Sequence, residues 1–486
     1  MPTALVWFRR DLRLADNPAL QAALADGYAP IPVYVHAPEE ETPWAPGAAS
    51  NAWLARSLAA LAGDLAARGS RLVVRFGPSL AALETLIAQT GAEAVYWNRL
   101  YEPAAIARDR HAKQALAQRG LHVRSTNAAL LAEPWTVATN AGEPCRVFTP
   151  FWKKLRPRLV VEPIVSAPTA LPPVPEAIAS ERIDALGLAP TPAWDAGFWR
   201  EWTPGESGAQ ARLDAFLAGP VAAYPEARDR PDHDGTARLS PHLHFGEVSP
   251  RQVLAALAGG EGGAPAPMDA ARERVLAELG WREFAHHLLY HFPHTPEADF
   301  NPRFAGFAWN PPDERVLRAW RTGRTGVPIV DAGLRQLWAT GWMHNRVRMV
   351  VASFFSKHLR LHWTHGARWF WDTLVDADLA SNTLGWQWSA GTGADAAPYF
   401  RIFNPVSQAR RFDPQGDYIH RWVPELAAVP APAVFEPWRH PDALAAAPDY
   451  PTRPLVDLAA GRADALAALS ALRAKPAAPA AAVGGT

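Results

Sequence analysis

The sequence has little cysteine, no long apolar run and no net charge, and each of these features limits the classes of protein or site that the chain can form. A single cysteine, Cys145, among 486 residues excludes an internal disulfide framework and a multi-cysteine zinc site, and it favours a cytoplasmic location. No apolar run approaches the length of a membrane span, and the start MPTALVWFRRDLRLADN does not have the pattern of a signal peptide. The net charge is zero, so charge alone gives no argument for a nucleic-acid partner, although it leaves room for a local basic patch.

Tryptophan is what the sequence has in excess. There are 21 tryptophans, and many of them fall in the C-terminal half. The stretch DLASNTLGWQWSAGTGADAAPYF, residues 378–400, places Trp386 and Trp388 one residue apart. Because a buried indole N–H needs a partner, a packed core rarely uses this mixture of indoles, acids and glycines. The stretch therefore predicts a binding site.

The first 130 residues predict an α/β domain with a parallel, doubly wound sheet. Short apolar runs rich in β-branched and aromatic residues alternate with helical patterns near 50–68, 79–90 and 103–119. The runs lie at 4–8, 29–36, 71–77, 92–98 and 121–127. In such a sheet we expect a ligand at the carboxyl ends of the strands.

The remainder predicts an all-α domain behind a linker. Residues 131–200 show neither helical nor strand periodicity. They contain the proline-rich stretch SAPTALPPVPEA, which is typical of an interdomain connection. Residues 201–470 read as helical, with long helices expected over 268–292 and over 327–359, the second broken near Gly341. The Ala/Pro/Gly-rich residues 471–486 are expected to be disordered.

Two predicted helix faces combine polar and aromatic side chains. Asn345, Arg348 and Met349 share one helix face with Trp342, and an amide, a guanidinium, a thioether and an indole together suggest a ligand rather than a core. Glu278, Trp281 and Arg282 also share a face, but taken alone they are typical of an ordinary Glu–Arg helix pair beside a half-buried tryptophan.

Other polar groups leave alternatives open. Asp376 could pair with an arginine, and Asp378, a turn before Asn382, could accept a hydrogen bond from a ring N–H. Thr236 and Ser240 could hold phosphate oxygens or form a common helix cap. His287 and His291 have metal-ligand spacing, but without an evident third ligand they are better interpreted as structural histidines, and no metal is expected.

Five segments together resemble the photolyase/cryptochrome family of flavoproteins. They are VWFRRDLRLADNPAL (6–20), GTARLSPHLHFGEVSPRQ (235–252), ELGWREF (278–284), GVPIVDAGLRQLWATGWMHNRVRM (326–349) and DADLASNTLGWQWSAGTGADAAPYFRIFNP (376–405). The resemblance implies an α/β antenna domain (1–130), a linker (131–200) and a helical domain (201–470) that binds FAD and a DNA lesion.

By motif position, the resemblance also implies roles for single residues. FAD would contact Tyr224, Arg228, Thr236, Ala237, Arg238, Leu239, Ser240, Asn345, Arg348, Asp376, Asp378 and Asn382, with an Arg348–Asp376 salt bridge in the site. Trp386, Trp363 and Trp309 would relay electrons. A flipped-out lesion in UV-damaged DNA would meet Glu278, Trp281, Arg282, Asn345, Arg346, Met349 and Trp388, of which Glu278 and Asn345 would hydrogen-bond it.

Within this family the sequence favours repair of cyclobutane pyrimidine dimers. Enzymes for the (6-4) photoproduct carry two histidines where this chain has Asn345 and Met349, which cannot donate the proton that their chemistry needs. A blue-light photoreceptor is the other alternative, but plant cryptochromes carry an acid where this chain has Asn382. Because asparagine cannot readily protonate the flavin radical, the resemblance favours a fully reduced, repair-competent flavin. The segments ELGWREFAHHLLYHFP and LHFGEVSPRQ resemble the corresponding sequences of class III photolyases.

The sequence supports only general expectations about the antenna chromophore and the assembly state. Class I enzymes with a folate antenna carry an Asn-Glu pair where this chain has Ala104 and Ala105. A differently seated methenyltetrahydrofolate is therefore the expected antenna, with a deazaflavin or no antenna as the alternatives. A monomer without membrane attachment is expected.

Overall fold

A parallel sheet forms the first part of the protein. The computed structural model describes residues 1–259, 268–396 and 400–474. The sheet has five strands in the order β3-β2-β1-β4-β5, all parallel. The strands are β1 (Thr3–Phe8), β2 (Ala29–His36), β3 (Val73–Phe76), β4 (Ala94–Asn98) and β5 (His122–Thr126), and the helices between them are α1 (Pro18–Ala25), α2 (Ala48–Ala66), α3 (Ser79–Thr90) and α4 (Pro103–Gln118). The predicted doubly wound α/β architecture is confirmed, and α1 is an additional helix that the sequence pattern did not indicate.

Both faces of the sheet are buried. Ala4, Val6 and Phe8 of β1 pack in one apolar cluster with residues of α1 and α2. Leu5 and Trp7 point to the opposite face and pack with residues of α3 and α4. This two-sided burial explains why the strands read as continuous apolar runs rather than as alternating ones.

The segment 131–200 packs closely against its neighbours. It contains two short α-helices, α5 (Phe148–Leu155) and α6 (Phe198–Glu201). Its Ser180 Oγ accepts a hydrogen bond from the N–H of Val74 at 2.9 Å, and the N–H of Glu181 donates to the Val74 carbonyl at 3.0 Å. The segment thereby covers the exposed edge of strand β3.

The second part of the protein is helical. Its helices are α7 (Glu206–Ala218), α8 (Tyr224–Ala227), α9 (Ser240–His244), α10 (Pro250–Ala258), α11 (Ala270–His291), α12 (Glu314–Arg321), α13 (Pro328–Thr340), α14 (Asn345–Ser353), α15 (Trp363–Thr373), α16 (Leu379–Ala390), α17 (Pro405–Phe412), α18 (Asp417–Trp422), α19 (Pro441–Ala446) and α20 (Leu458–Ala474). A π-helical turn, Phe354–His358, continues α14. The expected break falls at Gly341, which ends α13 with a φ of +68°.

The C-terminal boundary differs from the expectation. Helix α20 continues to Ala474, four residues into the segment that was expected to be disordered, because Leu469 and Leu472 pack against Phe304 and Phe307. Residues 475–486 lie outside the described residues. In the described part of the chain, no helix is both long and apolar enough to cross a bilayer.

Two of the family-like segments meet where the sheet joins the helices. A Cβ atom on Gly246 would lie 2.3 Å from the carbonyl oxygen of Arg10, so only glycine permits this approach. Arg13 Nη1 donates to the carbonyl of Gly246 at 2.9 Å. Trp342 and Val375 of the helical part share an apolar cluster with the α2 side of the sheet. The helical part therefore packs directly against the α/β part of the fold.

Candidate functional site

A cavity of about 310 Å³ opens in the helical part. Every residue predicted to bind the cofactor lines it, except Asn382. The lining residues are Tyr224, Arg228, Thr236, Ala237, Arg238, Leu239, Ser240, Leu243, His244, Val253, Val275, Glu278, Leu279, Arg282, Trp342, His344, Asn345, Arg348, Asp376, Asp378 and Ser381. Residues more than 150 positions apart thus converge on one concave surface, which is typical of a ligand site.

The run Thr236–Ser240 is bent along one wall. Arg238 has a φ of 49°, which non-glycine residues rarely adopt and which often marks a functional site. Its guanidinium lies 4.9 Å from the ring centroid of Trp342, and its Nη1 lies 3.3 Å from an oxygen of Glu201. The run therefore presents hydroxyl groups and a positively charged side chain to the cavity.

Glu278 and Arg228 form an ion pair at the cavity wall. Their side chains are 30% and 14% exposed, so the pair is accessible to a ligand. The Glu278–Arg282 helix pair that the spacing alone favoured is not formed. Arg282 Nη1 donates instead to the carbonyl oxygen of Ala129 at 2.6 Å and so connects α11 to the segment after β5.

The predicted Arg348–Asp376 salt bridge is present. Arg348 Nη2 lies 2.8 and 3.1 Å from the two carboxylate oxygens of Asp376. Arg348 Nε also donates to the carbonyl of Met343 at 2.7 Å. Because Asp376 is almost fully buried, this pair fixes the turn before α16 against α14.

Asp378 is held from three sides. One carboxylate oxygen accepts the N–H of Ser381 at 2.8 Å and so caps α16. The other oxygen lies 3.4 Å from His286 Nε2 and 3.8 Å from His244 Nδ1. Burial would raise the pKa of Asp378, but the neighbouring His286 lowers it well below its ordinary value, so Asp378 is ionised at the cavity surface.

Two predicted contacts are arranged differently from the expectation. Asn382 is not among the residues that line the cavity, because its amide donates to the carbonyl of Ala367 on α15 at 3.0 Å. Trp281 was expected to pack on a lesion, yet one face of its ring is covered by Phe148, with ring centroids 3.8 Å apart and planes 8° apart. Phe148 belongs to α5 of the linker, and no local sequence pattern predicts that α5 lies beside Trp281.

Three further residues that were expected to contact DNA lie outside the cavity lining, namely Arg346, Met349 and Trp388. Arg346 pairs with Asp229 at 2.8 Å and lies over the ring of Phe412 at 4.4 Å, so a phosphate would have to compete with that carboxylate. The ring of Trp388 stacks loosely on Phe403, with centroids 6.4 Å apart. Met349 is partly buried on α14.

The three predicted relay tryptophans occupy different environments. Trp386 is buried, and its ring contacts Phe370 at 4.9 Å. Trp363 is buried and donates its indole N–H to Asp299 at 2.8 Å. The His362 ring lies between Trp363 and Trp309, with centroid distances of 5.7 and 5.2 Å. Through His362, aromatic contacts therefore connect Trp363 with the partly exposed Trp309.

A glycine that sequence reasoning missed sets the position of Trp386. A Cβ atom on Gly366 of α15 would lie 2.1 Å from Trp386 Cη2 and 2.5 Å from Cζ3. Glycine inside a helix is unfavourable by about 1 kcal/mol relative to alanine, so its presence here has a packing reason. Gly366 lets α15, which also carries Trp363, approach the ring of Trp386.

The lining chemistry fits a negatively charged ligand with a flat apolar part. Arg228, Arg238 and Arg348 supply positive charge, whereas Leu239, Leu243, Val253, Val275, Leu279 and Trp342 supply apolar wall. Within the described residues, His344 Nε2 is buried and has no hydrogen-bond partner. Unpaired buried donors of this kind are expected where a ligand completes the site. The site is therefore suited to a diphosphate and an aromatic ring, which FAD contains.

Histidines are the part of this site that the sequence motifs did not reveal. His244 and His344 line the cavity, and His286 lies behind Asp378. Burial lowers the pKa of His344 to about 4, so its ring is neutral. The helical pattern HHLLYH drew attention to His287 and His291, whose rings both lie within 3.2 Å of the Pro134 carbonyl instead. Among the described residues, no group of three or more potential ligands could hold a metal ion.

A second, smaller cavity of about 60 Å³ lies at the carboxyl ends of β1 and β2. Trp7, Arg9, Tyr34, His36 and Arg108 line it, as expected for a ligand position in a parallel sheet. His244 lines this cavity as well as the larger one, so the two cavities share a wall.

Comparisons with known proteins agree with this geometry. Residues 4–175 match the family described as DNA photolyase, and residues 275–471 match the FAD binding domain of DNA photolyase. The chain is 46% identical to the deoxyribodipyrimidine photo-lyase of Agrobacterium fabrum, over 96% of this chain and 97% of that one. It is 41% identical to cryptochrome-1 of Arabidopsis thaliana, over 91% of this chain and 65% of that protein.

A solved structure extends the likeness to three dimensions. The crystal structure of a bacterial class III photolyase from Agrobacterium tumefaciens superimposes with a TM-score of 0.90 at 44% identity, covering 98% of each chain. With a sheet, a helical cavity and sequence identity that all correspond over nearly the full length, the chain belongs to the photolyase/cryptochrome family.

Proposed function

We propose that the protein is a light-driven DNA repair enzyme, a deoxyribodipyrimidine photo-lyase that splits cyclobutane pyrimidine dimers with bound FAD. The observation that carries this proposal is the cavity, which places Glu278 and Asn345 beside residues suited to hold FAD. The likeness of the whole chain to a deoxyribodipyrimidine photo-lyase supports it.

The chain's own residues would bind and orient the cofactor. Arg228, Arg238 and the hydroxyls of Thr236 and Ser240 would hold the phosphates, and Arg348, Asp376 and Asp378 would border the flavin ring. FAD, when bound, reduced and excited by light, supplies the electron that opens the cyclobutane ring. Trp386, Trp363 and Trp309 would deliver electrons from the surface when the cofactor has become oxidised.

The substrate would be a dimer flipped out of DNA. A damaged base pair stacks poorly, which reduces the unfavourable free energy of moving the lesion into a pocket. Asn345 is exposed at the start of α14, and Glu278 on α11 lines the same cavity, so both can hydrogen-bond pyrimidine carbonyl and N–H groups. Neither Asn345 nor Met349 can donate a proton to a (6-4) photoproduct, which supports the cyclobutane dimer as substrate.

The lesion type is tested with two matched oligonucleotides. One carries a single cyclobutane thymine dimer, and the other carries a (6-4) photoproduct in the same sequence. Photoreduced protein under blue light should restore the first and leave the second unchanged, as measured by chromatography of the digested DNA. Repair of the second alone would replace the proposed substrate, and repair of neither by FAD-loaded protein would favour a cryptochrome-type photoreceptor.

The antenna, the assembly and the location complete the proposal. Methenyltetrahydrofolate is the proposed antenna, and a deazaflavin or an empty site are the alternatives. An absorption spectrum of the purified protein separates them, because an antenna adds a band beyond those of flavin. We also propose a cytoplasmic monomer, which size-exclusion chromatography with light scattering and fractionation of the source cells would test.

A further inference from the structure

His286 of α11 is buried beside a residue that lines the larger cavity. Its ring is 5% exposed and faces Asp378, which lines the larger cavity. His244, which lines both cavities, approaches the same Asp378 oxygen from α9. A single carboxylate therefore lies between two imidazole rings at the edge of the proposed flavin site.

The hydrogen-bond geometry defines the charge of His286. Its Nδ1 lies 3.0 Å from the carbonyl oxygen of Arg282, and its Nε2 lies 3.4 Å from the carboxylate of Asp378. Both partners can only accept, whereas a neutral imidazole carries one N–H. The imidazolium is thus the form that satisfies both contacts, and it also pairs the buried charge of Asp378.

The other charges around His286 come from its own helix and from the α/β part of the fold. Arg282 and Glu283 lie beside it on α11, and Arg282 opposes its positive charge. From the α/β part, Glu102 favours that charge while forming an ion pair with Arg10 at 2.8 Å, and the ring centroids of Tyr101 and His286 lie 6.5 Å apart. Burial would lower the pKa of His286, but Asp378 outweighs it, and the pKa is raised above its ordinary value.

We propose that His286 is a positioning residue for the cofactor, which holds Asp378 in place and adds its own pH dependence to the reduction potential of bound FAD, beyond that of the proton that the flavin itself takes up. This inference rests on the proposed function, because it needs FAD in the larger cavity. Reduction adds negative charge to the flavin. The His286–Asp378 pair is neutral when His286 is protonated and negative when it is not, so loss of that proton disfavours reduction.

The sign of the pH dependence follows from the raised pKa. Below the ordinary pKa of histidine the ring is fully charged, and its effect on the flavin is fully present. As pH rises through the raised pKa, the positive charge is lost and the reduction potential shifts to more negative values. Asp378 stays ionised throughout this range because its own pKa is lowered.

The test compares the FAD-loaded protein with two variants across pH. His286→Arg keeps a positive charge at every pH, and His286→Gln keeps a donor for Asp378 without a charge. Reduction potentials are measured by dye-coupled spectroelectrochemistry, and His291→Gln on the same helix is the matched control. At low pH we expect the reduction potential of the unmodified protein to equal that of His286→Arg. At high pH we expect it to equal the more negative potential of His286→Gln. The control His291→Gln should behave like the unmodified protein at every pH.

A second measurement starts from the unmodified protein. In the FAD-loaded protein labelled at histidine ring carbons, the His286 resonance should titrate above the ordinary value, and Asp378→Asn should move its midpoint down. A midpoint at or below the ordinary value overturns the proposal, as do identical potentials for the unmodified protein and both His286 variants. Protein that binds no FAD contradicts this proposal and the proposed function together, whereas dimer repair with identical potentials contradicts this proposal alone.

Discussion

Gly366→Ala should displace the first tryptophan of the proposed relay. The added methyl group would lie 2.1–2.7 Å from three carbons of the Trp386 ring, closer than any ordinary contact. Overpacking of this kind costs about 1–3 kcal/mol, and alanine returns about 1 kcal/mol of helix propensity. The free energy of unfolding should therefore fall by about 0–2 kcal/mol, and photoreduction of oxidised FAD should become slower.

Gly385→Ala is the matched control, because it lies inside α16 beside Trp386 and a Cβ atom there would meet nothing within 4 Å. This variant should gain about 0.5–1 kcal/mol of stability and photoreduce normally. Urea denaturation of the FAD-loaded proteins and time-resolved absorption under blue light measure the two effects. If Gly366→Ala is as stable as Gly385→Ala and photoreduces at the same rate, the ring of Trp386 does not rest on Gly366.

Three further changes test separate parts of the site. Trp386→Phe should slow photoreduction of oxidised FAD but leave repair by pre-reduced enzyme intact, and an unchanged photoreduction rate would remove Trp386 from the relay. Glu278→Ala should reduce repair yield or lesion affinity, and unchanged values of both would show that the Glu278 carboxylate does not contact the lesion. Burial lowers the pKa of Lys357 from 10.5 to about 7, so between these values the unfolded chain binds more protons and stability rises with pH. Lys357→Met should remove this rise in urea denaturation, whereas exposed Lys113→Met should keep it; a rise that survives in Lys357→Met would show that Lys357 is not its source.

The sequence predicted the architecture well because its signals are local. Apolar runs marked all five strands, and the break at Gly341 was visible as a glycine within a helical pattern. The Arg348–Asp376 pair was also predicted, because both residues lie in segments that resemble the family.

The contacts that were missed join segments far apart in the chain. Phe148 covers Trp281 from a linker whose path no local pattern reveals. The packing of Gly366 against Trp386 depends on how closely two helices approach. The charged form of His286 is stabilised by Asp378, which lies 92 positions later in the sequence, so the residues next to His286 do not predict its charge.

Light-dependent loss of cyclobutane dimers from DNA tests the central claim most directly. Photoreduced, FAD-loaded protein is mixed with UV-irradiated DNA, and the dimers are counted after matched incubations in blue light and in darkness. The account predicts that dimers disappear only in the light. Equal dimer counts in light and darkness, with FAD still bound and reduced, would contradict it.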